Sequence, residues 1–309
     1  MNLTPEKSFK SHTKLMVSGE YLVLKGAMSL ALPLKYSQQL TIQEHSGTPG
    51  IKWKSRIKSE SWFNATYLLP DFRVSETNNN PIAETLSTIL QAAKSLNPSF
   101  LQASSEYTIT SVMDFEPGWG IGSSSSLISN IAYWAECDPY ELNFQVFNGS
   151  GYDIACSRSS FPIIYKIKDD KPFVELAQFN PPFYTSLYFV YLNKKQNSKE
   201  SILKLDRSKI TTGDITAISK ITTDLIAAPD LESFKLLMEK HEQIIANIIN
   251  ATPIKSLLFS DFRGSIKSLG AWGGDFIMVA SNESEKYIRD YFNAKNLKTI
   301  FRYDEIVLV

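Results

Sequence analysis

A glycine- and serine-rich segment, residues 116–126, carries the residue types best suited to hold an anion. Its sequence is EPGWGIGSSSS, and it lies between a strand-like run, 107–112, and an apolar helical run, 127–134. Glycines let the backbone approach a ligand closely, and the serines offer hydroxyls where the helix would begin. Unbonded N–H groups and the helix dipole favour an anion such as a triphosphate there. Glycine and serine are also ordinary turn residues, so both interpretations stay open from this segment alone.

The spacing of this segment differs from two widespread phosphate-binding loops. A Walker A loop would place a lysine directly after its last glycine, and no lysine follows Gly122. The dinucleotide-binding fingerprint needs a third glycine three residues after the second, which Gly118, Gly120 and Gly122 do not provide. A phosphate loop here would therefore belong to another architecture.

Three charged residues outside the segment lie where they could act chemically. Lys14 and Glu20 stand at the two ends of an apolar stretch, although most single Lys and Glu side chains are simply solvated. Asp153 follows the glycine turn 149–151. An aspartate in that position is either a helix N-cap, the commoner role for an isolated Asp, or a catalytic carboxylate.

Composition excludes several classes of protein. The chain has 309 residues, enough for two domains, and its 32 basic and 32 acidic residues give no field that would attract nucleic acid or an anionic membrane. Cys137 and Cys156 match neither a zinc site nor a disulfide framework. No signal core or membrane span is visible. We expect a cytoplasmic protein, and the sequence leaves open whether it is a monomer or a homodimer.

Hydrophobic periodicity and turn residues predict α+β structure throughout. In the first half, Asn78–Pro81 should open a helix over 82–96, and Asp138 followed by Pro139 should begin another. A break at 180–182 predicts the domain boundary. The second half should begin with a strand at 184–192. Helices are expected at 214–227, 231–249 and 253–269, followed by a strand at 276–280, a helix at 283–293 and a last strand at 299–307.

Several separated segments, taken together, resemble the signature motifs of the GHMP kinases, the family of galactose, homoserine, mevalonate and phosphomevalonate kinases. The first is KLMVSGEYLVLKG, residues 14–26, the second is PGWGIGSSSS, and the third is LGAWGGDF, residues 269–276. The segment GSGYDIA, residues 149–155, is similar to the one that carries the family's catalytic aspartate. Their order and spacing agree with the family across nearly the whole chain.

The resemblance implies a two-domain fold with the active site in the cleft between the domains. The N-terminal domain, 1–180, would hold a mixed sheet, the phosphate loop and the catalytic aspartate. The C-terminal domain, 181–309, would be a ferredoxin-like α/β sandwich that carries the third motif.

The resemblance also implies a role for each candidate residue in phosphoryl transfer from ATP with Mg²⁺. Asp153 would take the proton of the acceptor hydroxyl, and Lys14 would polarise that oxygen and keep the carboxylate ionised. Magnesium, which prefers hard oxygen ligands, would be bound by Ser124 and Glu141. The remaining roles are nucleotide binding by Gly118, Gly120, Gly122, Ser123, Ser124, Ser125, Gly273 and Gly274, and substrate binding by Glu20, Tyr21, Gly270 and Ala271.

The function implied is an ATP-dependent kinase of mevalonate or phosphomevalonate in isoprenoid precursor synthesis. Two alternatives stay open: a non-catalytic ligand-binding or regulatory protein on the same fold, and an enzyme like diphosphomevalonate decarboxylase. Trp272 replaces a glycine of the third motif, which favours the non-catalytic alternative, whereas the presence of Lys14 and Asp153 favours catalysis.

Overall fold

The structure, a computed structural model, describes residues 6–101, 104–194 and 205–308. The chain forms two compact units. Unit 1 comprises Met1–Thr13, Tyr36–Glu116 and Gly122–Arg158, and unit 2 comprises Lys14–Lys35, Pro117–Ile121 and Ser159–Val309. These units group residues by packing; the domains expected from the sequence, 1–180 and 181–309, stay a prediction.

Unit 1 contains a mixed sheet, and two of the strands, β1 and β2, also have residues in unit 2. Within the unit the strand order is β5-β4-β3-β6-β2, with β3 and β6 parallel and the other pairs antiparallel. Alternation of buried and half-exposed side chains along β6 turns one face of that strand toward the core. The strands are β1 (Lys7–Ser18), β2 (Ser29–His45), β3 (Gly50–Ile57), β4 (Glu60–Leu68), β5 (Arg73–Thr77) and β6 (Glu106–Met113).

The described residues of unit 1 include four α-helices, and two of them begin where the sequence signals predicted. Asn79 caps α1 by accepting a hydrogen bond from the Ile82 N–H, and Asp138 caps α3 by accepting from the N–H groups of Tyr140 and Glu141. The helices are α1 (Asn80–Leu96), α2 (Ser123–Ala135), α3 (Pro139–Phe147) and α4 (Tyr152–Ser157). The core joins buried sheet residues such as Trp53, Phe63 and Tyr67 to apolar helix residues such as Leu90 and Ile131.

Unit 2 contains a hairpin, β7 (Ile163–Lys168) and β8 (Lys171–Leu176), and a four-stranded antiparallel sheet. The strands of that sheet are β9 (Leu187–Tyr191), β10 (Ser265–Ser268), β11 (Phe276–Ala280) and β12 (Ile300–Arg302). Their spatial order, β12-β9-β11-β10, is the 4-1-3-2 arrangement of a ferredoxin-like sandwich, as expected. The α-helices in the part of unit 2 that the structure describes are α5 (Thr212–Ile226), α6 (Leu231–Ile249), α7 (Ile254–Leu258), α8 (Glu285–Ala294) and α9 (Tyr303–Ile306).

Two sequence-based assignments were wrong. The helix expected over 253–269 ends at Leu258, because residues 265–268 pair with β11 instead. Gly264 permits this pairing, since a Cβ there would lie 2.6 Å from the carbonyl oxygen of Ala280. The last strand stops at Arg302, where a capping interaction with Glu305 begins α9.

Candidate functional site

The first half of the glycine-rich segment, residues 117–121, belongs to unit 2 and is anchored by its four-stranded sheet. The hydroxyl of Tyr191 donates a 2.8 Å hydrogen bond to the carbonyl of Gly118. The ring of Trp119 packs edge-on against Phe276 and Phe301, with centroid distances of 6.2 and 5.4 Å. Three strands of the sheet, β9, β11 and β12, therefore contribute side chains that hold this part of the loop.

The glycine loop also lies against the first motif. The backbone N–H of Lys14 donates to the carbonyl of Ile121 at 2.8 Å. Gly120, one residue earlier, has φ +71°, a conformation that favours glycine. The structure thus brings Lys14 to the loop through its backbone. Asp153 belongs to unit 1, and the convergence of the Lys14 and Asp153 side chains stays a prediction.

The second half of the segment, in unit 1, begins helix α2. Gly122 is the N-cap with φ 97°, and the helix runs for 13 residues from Ser123. Ser123 is half-buried and Ser124 is exposed, so both hydroxyls lie at a helix end whose first N–H groups have no intrahelical acceptor. Ser125 is buried, and its hydroxyl donates to the carbonyl of Gly122 at 2.9 Å. This local geometry fits an anion-binding helix start, and the individual phosphate contacts stay predictions.

Asp153 is the second residue of α4, whose N-cap is Gly151 with φ 86°. Asp153 is therefore not the N-cap residue, although its Oδ1 accepts a 3.2 Å hydrogen bond from the N–H of Ile154 in the first turn of the helix. Its side chain is half-buried. The helix itself is fixed against α2 by a 2.7 Å hydrogen bond between the hydroxyls of Ser129 and Ser157. A half-buried carboxylate in the first turn of α4, a helix that is hydrogen-bonded to α2, is consistent with the catalytic role implied by the resemblance.

The proposed metal ligands are both in unit 1. Glu141 is exposed in the first turn of α3, and Ser124 is exposed in the first turn of α2. Among the residues that the structure describes, no group of three or more His, Cys, Asp or Glu side chains could hold a metal ion. Magnesium bound with nucleotide phosphates needs only one or two protein ligands, and hydroxyl and carboxylate oxygens suit it. The two assignments fit that chemistry and stay predictions.

Glu20 of the first motif forms an ion pair in the interior of unit 2. One carboxylate oxygen, Oε1, accepts a hydrogen bond from the ammonium group of Lys267, and both side chains are almost fully buried. Lys267 also donates to the carbonyl of Ser268 at 2.8 Å. The assignment of Glu20 to substrate binding stays a prediction; the pair with Lys267 is an additional, structural interaction.

His241, on α6, lies beside this pair and is also fully buried. Its Nε2 accepts a 3.0 Å hydrogen bond from the N–H of Gly19 and lies 3.3 Å from Oε2 of Glu20. Burial, with a smaller effect of Lys267, lowers the pKa of His241 well below its usual range, so the imidazole is neutral. The contact with Glu20 is therefore not an ion pair.

Burial acts in the opposite direction on the carboxyl groups. It raises the pKa of Glu20 to about 7, although the Lys267 ammonium opposes that shift. The pKa of Glu242 is also raised by burial. Glu242 accepts hydrogen bonds from the N–H and the hydroxyl of Ser268, at 3.1 and 3.0 Å. A single buried ammonium thus faces two carboxyl groups, which disfavours full ionisation of both.

The third motif forms the loop between β10 and β11, and it meets the first motif at Tyr21. The N–H of Trp272 donates to the Tyr21 hydroxyl at 3.1 Å. Gly270 and Gly273 have φ +66° and +96°, Ala271 and Gly274 are buried, and Trp272 is half-buried. A cavity of about 370 Å³ opens beside this contact. Its lining includes Tyr21, Trp272, Gly273, Ser268, Ile248, Ile254, Leu257 and the exposed Asp206 and Lys209.

Sequence reasoning missed Lys267, His241, Tyr191 and Asp275. Lys267 fell in a segment assigned to a helix, and His241 lies on a helix with no local motif. Asp275 lies inside the third motif, but its close approach to Gly120 is apparent only from the structure.

No helix among the described residues has both the length and the apolar character needed to cross a membrane. Comparison with models of known protein families finds no match. Curated proteins of known function also yield no match by sequence.

Solved structures match over nearly the full chain. The mevalonate kinase of Methanococcus jannaschii is 15% identical, with a TM-score of 0.71 and 99% of each chain covered. Streptococcus pneumoniae phosphomevalonate kinase in complex with phosphomevalonate and AMPPNP is 15% identical, with a TM-score of 0.71 over 96% of this chain and 99% of that one. A D-glycero-D-manno-heptose 1-phosphate kinase from Bacteroides thetaiotaomicron is 14% identical, with a TM-score of 0.64 over 98% and 96%.

These matches agree with the mixed sheet of unit 1 and the smaller four-stranded sheet of unit 2. At this level of identity they establish the architecture and not the acceptor. The chain therefore has the GHMP kinase fold.

Proposed function

We propose that this protein is an ATP- and Mg²⁺-dependent kinase of a small molecule, with mevalonate and phosphomevalonate as the first acceptors to test. One observation carries the proposal. In the segment 117–126, Gly120 and Gly122 have positive φ, and Ser123 and Ser124 lie at the start of α2. Such a loop suits phosphate groups, because N–H groups, hydroxyls and the helix dipole all favour negative charge.

The nucleotide would be bound by this loop, with Mg²⁺ held by Ser124 and Glu141. When bound, the ion would neutralise charge on the transferring phosphoryl group. The protein's own contribution is positioning: glycines give the backbone close access to the phosphates, and the serine hydroxyls add hydrogen bonds. An exposed serine at a helix start can reach a ligand without any change in the helix.

Asp153 would accept the proton of the acceptor hydroxyl, and Lys14 would hold that oxygen and keep the carboxylate ionised. Two local findings support this assignment. Asp153 lies in the first turn of α4 and is not its N-cap residue, and the backbone of Lys14 is hydrogen-bonded to the glycine loop. The family resemblance supplies the roles themselves.

The cavity beside Tyr21 and Trp272 supports a small acceptor. Its volume, about 370 Å³, lies at the lower end of the range typical of ligand pockets. Apolar side chains of Ile248 and Ile254 would suit a short branched carbon chain. Lys209 offers a cation to a carboxylate or phosphate, and Asp206 in the same lining limits the net positive charge. Both mevalonate and phosphomevalonate carry such an anionic end.

A turnover screen tests the proposal. The full chain is incubated with ATP, Mg²⁺ and either mevalonate, phosphomevalonate, homoserine or a set of sugars, and ³¹P NMR identifies the phosphorylated product. We expect one acceptor to give a new phosphate resonance in step with ADP formation. Carbon dioxide release from diphosphomevalonate would favour the decarboxylase alternative. ATP binding by calorimetry without turnover of any acceptor would favour the non-catalytic alternative, for which Trp272 is the structural argument.

A further inference from the structure

We propose that Asp275 is a positioning residue for the glycine loop, and that its carboxyl group fixes the backbone at Gly120 in the conformation that receives phosphate. The inference deepens the proposed function, because it assumes that the loop is the nucleotide site. The positioning itself is a property of unit 2 and can be measured without nucleotide.

The carboxyl group of Asp275 fills the space where a side chain at position 120 would lie. A Cβ added at Gly120 would be 2.5 Å from Oδ2 of Asp275 and nearer still to Cγ and Oδ1. Gly120 also has φ +71°, so a larger residue there would be strained by its backbone as well. The close approach of a carboxyl group to a main-chain Cα explains why glycine is required at this position.

Asp275 has little freedom to move away. It is 7% exposed and adopts φ 53°, which among non-glycine residues aspartate and asparagine tolerate best. Its N–H donates to the carbonyl of Lys194 at 2.6 Å, and its carbonyl accepts from the N–H of Leu192 at 2.8 Å. Both partners lie within three residues of the end of β9, so the backbone of Asp275 is tied to the end of that strand. The loop must therefore adapt to Asp275.

Tyr191, the last residue of β9, reinforces this arrangement. Burial, together with the nearby Asp275 carboxylate, raises the pKa of Tyr191, so the phenol keeps its proton and donates to the carbonyl of Gly118. Three consecutive loop residues are thus contacted from one sheet: Gly118 by Tyr191, Trp119 by Phe276 and Phe301, and Gly120 by Asp275. This set of contacts would hold the loop in one conformation before any ligand arrives.

The shape of the Asp275 side chain matters more than its charge for positioning the loop. A carboxylate beside bound phosphates repels them, so removing only the charge should not weaken nucleotide binding. Asp275→Asn keeps the size and tolerates the left-handed backbone. Asp275→Gly keeps the backbone conformation and removes the side chain. The pair of variants therefore separates shape from charge.

Hydrogen exchange of the amides of residues 118–121, followed by mass spectrometry on the full chain without nucleotide, is the first test. We expect Asp275→Gly to speed exchange in this segment at least about tenfold, and Asp275→Asn to leave it within about threefold of the parent. Equal exchange in the parent and Asp275→Gly would overturn the positioning role. Because no nucleotide is present, this test stands even if the chain is not a kinase.

A compensation experiment is the second test. Gly120→Ala should weaken binding of a non-hydrolysable ATP analogue at least about tenfold by calorimetry, and adding Asp275→Gly should recover a large part of that loss by vacating the space. Recovery is partial because the backbone strain at residue 120 persists. Gly122→Ala is the matched control, since Gly122 also has positive φ, 97°, and Asp275→Gly should not rescue it. Additive losses in the Gly120→Ala, Asp275→Gly double variant would contradict the proposed contact.

The two experiments distinguish failure of the proposed function from failure of the positioning role. If neither the parent nor any variant binds the ATP analogue while exchange still responds to Asp275→Gly, the proposed function fails and the positioning role survives. Thermal melting of each variant confirms that the compared proteins are folded.

Discussion

The ammonium group of Lys267 and the carboxyl group of Glu20 form an ion pair in the interior of unit 2, joining positions 247 residues apart in the chain. Lys267 lies on β10, and Glu20 is the second residue after β1. Both side chains are at most 1% exposed, so water cannot compensate for the loss of either partner. The pair therefore makes folding of the first motif depend on the four-stranded sheet.

Lys267→Met should destabilise the protein by about 3–5 kcal/mol, because it leaves a buried carboxyl group without its cation. Urea denaturation at pH 8 measures the effect. The double variant Lys267→Met, Glu20→Leu should regain part of the loss, since the carboxyl group paired with Lys267 is removed while the buried Glu242 remains. Lys220→Met, in an exposed i,i+4 pair with Asp224, is the control and should change stability little. Similar losses for both lysines would contradict a special role of the buried pair.

The pH dependence of stability should carry the signature of Glu20. Its pKa rises from 4.5 in the unfolded chain to about 7 in the folded one, so between these values the folded state binds more protons. The contribution of Glu20 is therefore fully present below about pH 4.5 and is lost as pH rises through about 7. Glu242 has the same sign, whereas the lowered pKa of His241 costs stability as pH falls below 6.5.

Comparison with Glu20→Gln isolates this effect. The free energy of unfolding of the parent minus that of the variant should fall from pH 5 to pH 7.5 and level off above it. A difference that rises with pH over this range would mean that Lys267 dominates and that the pKa of Glu20 is lowered instead.

Asp153→Asn should reduce turnover by about 10² to 10⁴ while nucleotide affinity is retained, because the substitution removes the general base and leaves the glycine loop intact. Steady-state kinetics with the acceptor found in the screen, and calorimetry with an ATP analogue, give the two readouts. Asp138→Asn is the matched control, since asparagine caps a helix as well as aspartate does. Normal turnover in Asp153→Asn would exclude it as the base.

Tyr21→Phe should raise the acceptor KM about 2- to 12-fold, the range expected for one lost hydrogen bond, here the bond from the Trp272 N–H. The affinity for ATP should change little. Tyr184→Phe, in a partly exposed turn, serves as the control. An effect confined to ATP affinity would place the cavity beside Tyr21 and Trp272 with the nucleotide and not with the acceptor.

The sequence by itself determined the local structure. Asp138 followed by Pro139 fixed the start of α3, Asn79 capped α1, and helix α6 occupies the predicted residues, 231–249. Capping and hydrophobic periodicity act over a few residues, so they are readable without knowledge of the fold. The glycine and serine segment was recognisable for the same reason: a loop that ends in a helix start needs those residue types at those positions.

Tertiary structure alone decided which distant residues meet. Residues 265–268 form a strand because they pair with β11, although their sequence pattern predicts a helix. Glu20 contacts Lys267 and His241, and Gly120 lies against Asp275. These residues are far apart in the sequence, and no local pattern predicts that they meet. Such contacts depend on the order of strands in a sheet and on the packing of helices against it, because buried charges and close backbone approaches are set by three-dimensional neighbours and not by neighbours in sequence.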